Sequence, residues 1–246
     1  MNVEKFNRLD ELDILKSYEG SITNDYMNTS LYEANIARLY YIKGDRNFYV
    51  LIKREGYYKL YYYINDINEE FDAKGTFVSE IVSKQMDETL ENMGFELYKT
   101  RVRLRLNHKE PYESKRVKYI DDAEFIYEAL QSFDEYSGER LDLDEIKERI
   151  AKKLFIGIDG AGFIEFSTDA FKDSIEHFYI DSAKRGEGLG SEILRHYLGF
   201  VSKKKRVNVW TDEGSRAIKL YHKYGFKEDG LKSYVYIWRE DQWKKK

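Results

Sequence analysis

The 246-residue chain has no cysteine and only one proline. Without cysteine there is no disulfide and no thiolate metal site, which fits a reducing compartment. Long apolar runs are missing as well: no uninterrupted stretch approaches the ~20 residues that span a bilayer. The start, Met1 to Lys5, leads into charged sequence without the apolar segment of a secretory signal. Four histidines, His108, His177, His196 and His222, show no metal-ligand spacing, so no metal site is expected. An excess of positive charge is also absent. The net charge of -4 argues against general nucleic-acid affinity. What the chain does have is 42% apolar and 16% aromatic residues, ample for a core, and 35% charged residues for a well-solvated surface. The expectation is a soluble cytoplasmic protein that neither spans a membrane nor binds nucleic acid.

The lone Pro111 lies in the polar stretch Asn107 to Lys115, between two blocks of apolar patterning. Proline removes a backbone donor and biases its predecessor to extended form, so this stretch reads as a linker or exposed loop. The expected domains are residues 1–110 and 116–246. After the linker the pattern gives a strand (Val117 to Ile120) and two helices (Asp122 to Gln131 and Leu143 to Lys152). Asp121 or Asp122 can cap the first helix, and Asp142 or Asp144 the second. A hairpin follows, Leu154 to Ile158 and Phe163 to Ser167, turning at Asp159 to Gly162.

The most informative segment is Arg185 to Ser191, reading R-G-E-G-L-G-S, between a strand at Ile175 to Ile180 and a helix at Glu192 to Phe200. Glycines between a strand and a helix let the backbone curl and bring several N–H groups to one point. The unpaired N–H groups of the helix's first turn make a phosphate the natural guest. By itself the segment also reads as an ordinary glycine turn. Downstream, a strand at Val207 to Trp210 precedes Ala217-Ile-Lys-Leu-Tyr221-His-Lys-Tyr-Gly225-Phe226, and a strand at Tyr234 to Trp238 follows. Ala217, Leu220, Tyr221 and Tyr224 recur at helical spacing, and Gly225 stands where a helix ends.

Together these motifs resemble the GNAT superfamily of acyl-CoA-dependent N-acetyltransferases. Arg185, Gly188 and Gly190 match its R/Q-x-x-G-x-G/A loop. Ala217, Leu220, Tyr221, Gly225 and Phe226 match its N-x-x-A-x-x-L-Y-x-x-x-G-F segment, with Gly214 where the family has asparagine. The resemblance implies an α+β fold with a mixed, mostly antiparallel GNAT-type sheet flanked by helices, beside a smaller N-terminal α+β domain. It implies acetyl-CoA as cosubstrate and transfer of its acetyl group to a primary amine of a small molecule or peptide, by direct attack in a ternary complex. By the same resemblance, the backbone of Phe178, Tyr179 and Ile180 pairs with the pantetheine arm. The loop Arg185, Gly186, Glu187, Gly188, Leu189, Gly190 and Ser191 holds the pyrophosphate, and Gly214 and Ala217 complete the cofactor side. Tyr221 protonates the leaving thiolate. The missing asparagine leaves an alternative open: a non-catalytic acyl-CoA sensor or interaction module on the same fold.

For the base, the residues suggest Glu176. Strict alternation puts Glu176, Phe178 and Ile180 on one face of the strand and Ile175, His177 and Tyr179 on the other. A solvent-facing glutamate is the other reading of that position; His177 and then Glu165 are the next candidates. Substrate loops are expected at Ser132 to Leu141 and Lys227 to Ser233. Their carboxylates Asp134, Glu135, Glu139, Glu228 and Asp229 lean toward a cationic amine. Lys203 to Arg206 follows the C-terminal end of the loop's helix, where cations are favoured, and Lys244 to Lys246 reads as a frayed tail.

The N-terminal block gives a hairpin, Asn47 to Ile52 and Tyr57 to Ile64, a helix at Ser79 to Asn92 and a strand at Arg101 to Leu106. The tyrosines from Tyr57 to Tyr63 read either as an aromatic face or as compositional bias. Leu90-Glu-Asn-Met-Gly94-Phe95 aligns with Tyr221-His-Lys-Tyr-Gly225-Phe226, each followed by a strand. This is either a degenerate GNAT-like copy, lacking both the tyrosine and the phosphate loop, or a coincidence.

Overall fold

The computed structural model describes residues 1–138 and 140–240, so Glu139 and Lys244 to Lys246 lie outside the described residues. The chain forms two compact units, residues 1–100 with 232 onward, and residues 101–231. The segment around Pro111 therefore lies inside the second unit.

The first unit contains β1 (Glu4–Lys5), β2 (Ile22–Thr23), α1 (Thr29–Asn35), β3 (Leu39–Lys43), β4 (Phe48–Lys53), β5 (Tyr58–Ile64), β6 (Thr76–Ser83) and α2 (Thr89–Asn92). Its strand order is β1-β3-β4-β5-β6, with residues 232–239 beside β6 and β2 beside β5. All pairs are antiparallel except β5 with β6. The expected helix from Ser79 is a strand up to Ser83, and only Thr89–Asn92 is helical. Thr76, Val78, Ile81 and Val82 are β-branched, and Phe77, Ser79 and Ile81 are buried at two-residue spacing. Pairing with residues 232–239 rewards that pattern over the helical one.

The second unit takes residues 101–106 of β7 (Glu96–Leu106), then β8 (Lys118–Tyr119), α3 (Ala123–Leu130), α4 (Leu143–Ala151), β9 (Phe155–Ile158), β10 (Gly162–Thr168), β11 (Lys172–Ile180), α5 (Leu189–His196), β12 (Arg206–Asp212), α6 (Arg216–Lys223) and the start of β13 (Lys227–Arg239). Its strand order is β7-β12-β11-β10-β9-β8, again with one parallel pair, β11 and β12. Asp122 caps α3 by accepting from the Phe125 N–H, and Asp142 with Glu145 forms a reciprocal capping box on α4. These are two of the four aspartates expected at those ends.

The two units repeat one plan. Three antiparallel strands (β3-β4-β5 or β9-β10-β11) lead into a parallel partner (β6 or β12), then a short helix (α2 or α6). Both helices end alike. The Phe95 N–H donates to the Leu90 carbonyl at 3.0 Å and the Phe226 N–H to the Tyr221 carbonyl at 3.1 Å. Gly94 and Gly225 turn through φ +90 and +85, the left-handed step this cap requires. The strand after each helix is exchanged. Residues 101–106, after the first copy, pair with β12 in the second unit, whereas residues 232–239, after the second copy, pair with β6 in the first. Among the described residues the first copy has no helix between β5 and β6, where the second has α5 between β11 and β12.

The segment 107–116 is strapped onto α5 rather than free. The Lys109 ammonium donates to the Ser202 and Lys204 carbonyls, and the Arg195 guanidinium stacks 3.8 Å from the Tyr112 ring centroid. The Ser114 N–H donates to His196 Nδ1 at 3.0 Å, while the Ser114 hydroxyl and Arg116 both bond Glu192. Behind the loop, the Lys203 ammonium donates to the Phe200 carbonyl.

Candidate active site

The site grows from a defect in β11. Glu165 pairs with His177 but Phe166 with Ile175, so Glu176 is an extra residue, a β-bulge. The bulge breaks the strict alternation expected from sequence. Ile175 joins Phe178 and Ile180 in the apolar cluster around Tyr221. On the other side, Tyr179 packs against Phe163 and Phe125. A bulge depends on pairing with β10, which the β11 sequence alone does not display.

The parallel ladder between β11 and β12 stops at Ile175 and Val209. Beyond it, residues 176–180 have β10 on one side and, among the described residues, no paired strand on the other. That free edge runs into the glycine turn. Gly186 and Gly188 have φ +91 and +81, and Gly188 is the N-cap of α5, positions that a branched residue adopts only with strain. Gly190 is different: a Cβ there would lie 3.4 Å from Ile180 and 3.5 Å from Phe178, so it backs closely onto the strand. Leu189, Gly190 and Ser191 form the first turn, whose N–H groups lack intrahelical partners. Glu192, next in this turn, is held below the ordinary carboxylate range by the Arg116 guanidinium and then the Ser114 hydroxyl. Arg185 Nε donates to the Ile180 carbonyl at 3.1 Å, tying the exposed turn to the strand end. Glu187 is exposed.

Tyr221 is buried on α6, its ring centroid 6.3 Å from Phe178 and 5.3 Å from Phe226. Burial pushes its hydroxyl well above the ordinary phenol range, so it remains protonated at neutral pH. Tyr221, Glu176 and Ala217 line one cavity of about 200 Å³, together with His177, Phe178, Trp210, Asp212 and the loop residues Phe133, Asp134, Ser137 and Gly138. Glu176 is exposed and accepts a hydrogen bond from Ser167. The structure thus brings the two expected catalytic residues to one cavity. Gly214 stands apart from that lining, in an exposed left-handed turn of φ +77 ahead of α6.

A polar chain runs from α4 to the cavity wall. Arg149 donates to one oxygen of Glu165, His177 Nδ1 stands 2.5 Å from the other, and His177 Nε2 meets the Gly138 carbonyl. Glu165 and His177 are buried. Both glutamate oxygens are engaged, one by Arg149 and one by His177. Arg149 and Gly138 carry no motif and are visible only through this contact.

Two details correct the expected substrate loops. Lys227 to Ser233 belongs to β13, and Asp229 is bonded by Arg103 and Arg105, which removes its charge from any acidic lean. Asp134 is bound by the Tyr136 and Ser137 N–H groups and the Ser137 hydroxyl. A larger cleft of about 730 Å³, lined by Arg105, Leu106, Arg195, Lys223 and Lys227 among others, lies where β12 begins. It touches neither the glycine turn nor Tyr221.

Residues 121–235 match the acetyltransferase (GNAT) domain family. That stretch, just under half of the chain, is what is similar to the family. A search of curated proteins gives no match. Solved structures share the fold at low identity. A GCN5-related N-acetyltransferase from Sphaerobacter thermophilus is 12% identical, with 92% of this chain and 84% of that one covered and a TM-score of 0.56. A tandem GNAT protein from the clavulanic acid biosynthesis pathway is 11% identical over 97% and 98% of the two chains, with a TM-score of 0.56. A GNAT acetyltransferase from Colwellia psychrerythraea is 11% identical over 96% and 99%, with a TM-score of 0.53. The mixed α+β sheet is that of the GNAT fold. Among the described residues no helix is long and apolar enough to cross a membrane, and no group of three or more His, Asp or Glu residues could hold a metal ion.

Proposed function

We propose that this chain is an acetyl-CoA-dependent N-acetyltransferase acting on a primary amine of a small molecule or peptide. The observation that carries the reading is the meeting of three features: the unpaired edge of residues 176–180, the glycine turn at the start of α5, and one cavity shared by Tyr221 and Glu176. The fit is chemical. N–H groups of Gly186 to Ser191 suit a pyrophosphate, and the backbone of Phe178, Tyr179 and Ile180 suits an extended amide-bearing arm. Acetyl-CoA supplies a thioester carbonyl as the acetyl donor. Within the cavity Glu176 takes the proton of the attacking amine, directly or through water, as the C–N bond forms. Tyr221 gives its proton to the sulfur as the C–S bond breaks. The Ile180 N–H polarises the carbonyl. The cysteine-free composition supports a cytoplasmic setting.

Isothermal titration with acetyl-CoA, followed by an amine panel with thiol-release detection, tests the reading; absence of binding at millimolar acetyl-CoA overturns it. Gly214, which offers no side chain where the family has asparagine, favours a second reading, an acyl-CoA sensor. That reading expects binding without turnover across the panel.

A further inference from the structure

The chain Arg149–Glu165–His177–Gly138 is not needed for any step above, yet its two central members, Glu165 and His177, are buried and it joins α4, β10, β11 and the α3–α4 loop. Its proton inventory is constrained. The Gly138 carbonyl only accepts, so His177 Nε2 carries a proton. The Nδ1 partner is a carboxylate whose other oxygen receives the Arg149 guanidinium. A carboxylate gripped by a guanidinium faces the ring as an acceptor too. Both ring nitrogens then donate, and the ring is an imidazolium. A doubly donating ring has no lone pair with which to take a proton from an amine, which removes His177 as a base. Of the other charged groups lining the cavity, Glu176 of the same strand is bonded to Ser167, Asp134 is bound within its own turn, and Arg101 bonds the Ser137 carbonyl; Asp212 lines it too.

The ring's second bond goes to the part of the loop that walls the cavity. Phe133, Asp134, Ser137 and Gly138 all line it, and Phe133 packs edge-on against the imidazole at 5.1 Å. Gly138 itself turns so closely that a Cβ would come within 2.4 Å of the Asp134 carbonyl oxygen. Arg101 bonds the Ser137 carbonyl from β7. We propose that His177 is a positioning residue for the acceptor amine: as an imidazolium held by Glu165, it ties the 133–138 loop to β11 and so fixes the wall against which the amine is aligned with Glu176. The proposal rests on reading this cavity as the acceptor site.

Two measurements on the full chain test the tie without any substrate. Nitrogen–proton correlation spectra of the His177 ring at neutral pH should report both nitrogens protonated; a neutral ring overturns the proposal. Hydrogen exchange should show the 133–138 amides protected in the wild type and about tenfold faster in His177→Phe, with β11 unchanged. Unchanged loop exchange overturns it. With the amine found by screening, His177→Phe should raise KM for the amine about tenfold while kcat and acetyl-CoA affinity stay close to wild type. A kcat loss of about a hundredfold at unchanged KM would instead make His177 a group acting on the reacting atoms. Glu165→Gln should reproduce the KM effect in milder form. If acetyl-CoA fails to bind, the proposed function falls and the amine role with it, whereas the ring spectra and loop exchange separately decide whether the tie exists.

Discussion

Tyr221 and His196 are both buried titratable groups, with opposite consequences. Burial keeps the Tyr221 phenol protonated, which suits a proton donor and leaves no anion to repel a developing thiolate. Tyr221→Phe should lower kcat by about a hundredfold without weakening acetyl-CoA binding; undiminished turnover would assign the ring to packing between Phe178 and Phe226. At His196 burial lowers the ring's pKa below its ordinary 6.5, with Glu113 and Glu192 opposing, and the Ser114 N–H donation requires an unprotonated Nδ1. A depressed folded pKa means the unfolded chain binds more protons just below pH 6.5. The stability from this contact is therefore full above that pH and declines as pH falls. Tm measured from pH 7 to 5 should drop less in His196→Gln, whose side-chain carbonyl accepts from Ser114 without titrating; parallel curves would clear His196. Neither environment was legible in advance, because sequence places Tyr221 in a motif but does not reveal what encloses it.

The elements that sequence reads best are those with local punctuation. Asp122, Asp142, Gly56, Gly94 and Gly225 sit at ends or turns whose chemistry is written within a few residues. Ser79 to Ser83, the start of the helix expected to run to Asn92, is misread because only the strand beside it decides. The bulge at Glu176 escapes for the same reason. The glycine turn allows a test at this scale. Gly188→Val places a branched residue at φ +81, a cost of about 1–3 kcal/mol, and covers the N–H groups offered to phosphate. Gly190→Val meets Phe178 and Ile180 instead. Both should weaken acetyl-CoA binding severely in titrations of folded protein, Gly188→Val with the larger fall in Tm only if the turn strain exceeds the crowding at Gly190. Unchanged affinity in a folded variant would reduce the segment to a turn.

At the level of the whole chain, the decisive feature is the exchange of strands. Hydrophobic alternation marks residues 101–106 and 234–238 as strands, but nothing in that pattern says which sheet each one joins. In the second unit Val102, Leu104 and Leu106 are buried in the cluster that contains Tyr221, and fully burying such side chains contributes about 1.5–3 kcal/mol each. A fragment cut at the proline stretch, residues 116–246, loses these side chains and leaves the edge of β12 unpaired, while its own residues 232–239 lose β6. Such edges and apolar surfaces favour aggregation. The fragment should therefore be insoluble alone, and co-expression of residues 1–110 should restore a soluble complex that binds acetyl-CoA. Gel filtration and titration of the co-expressed pair make the comparison. A fragment 116–246 that is soluble, monomeric and competent for acetyl-CoA by itself would show that residues 101–106 are dispensable to the second unit, and the exchange would then have no energetic role.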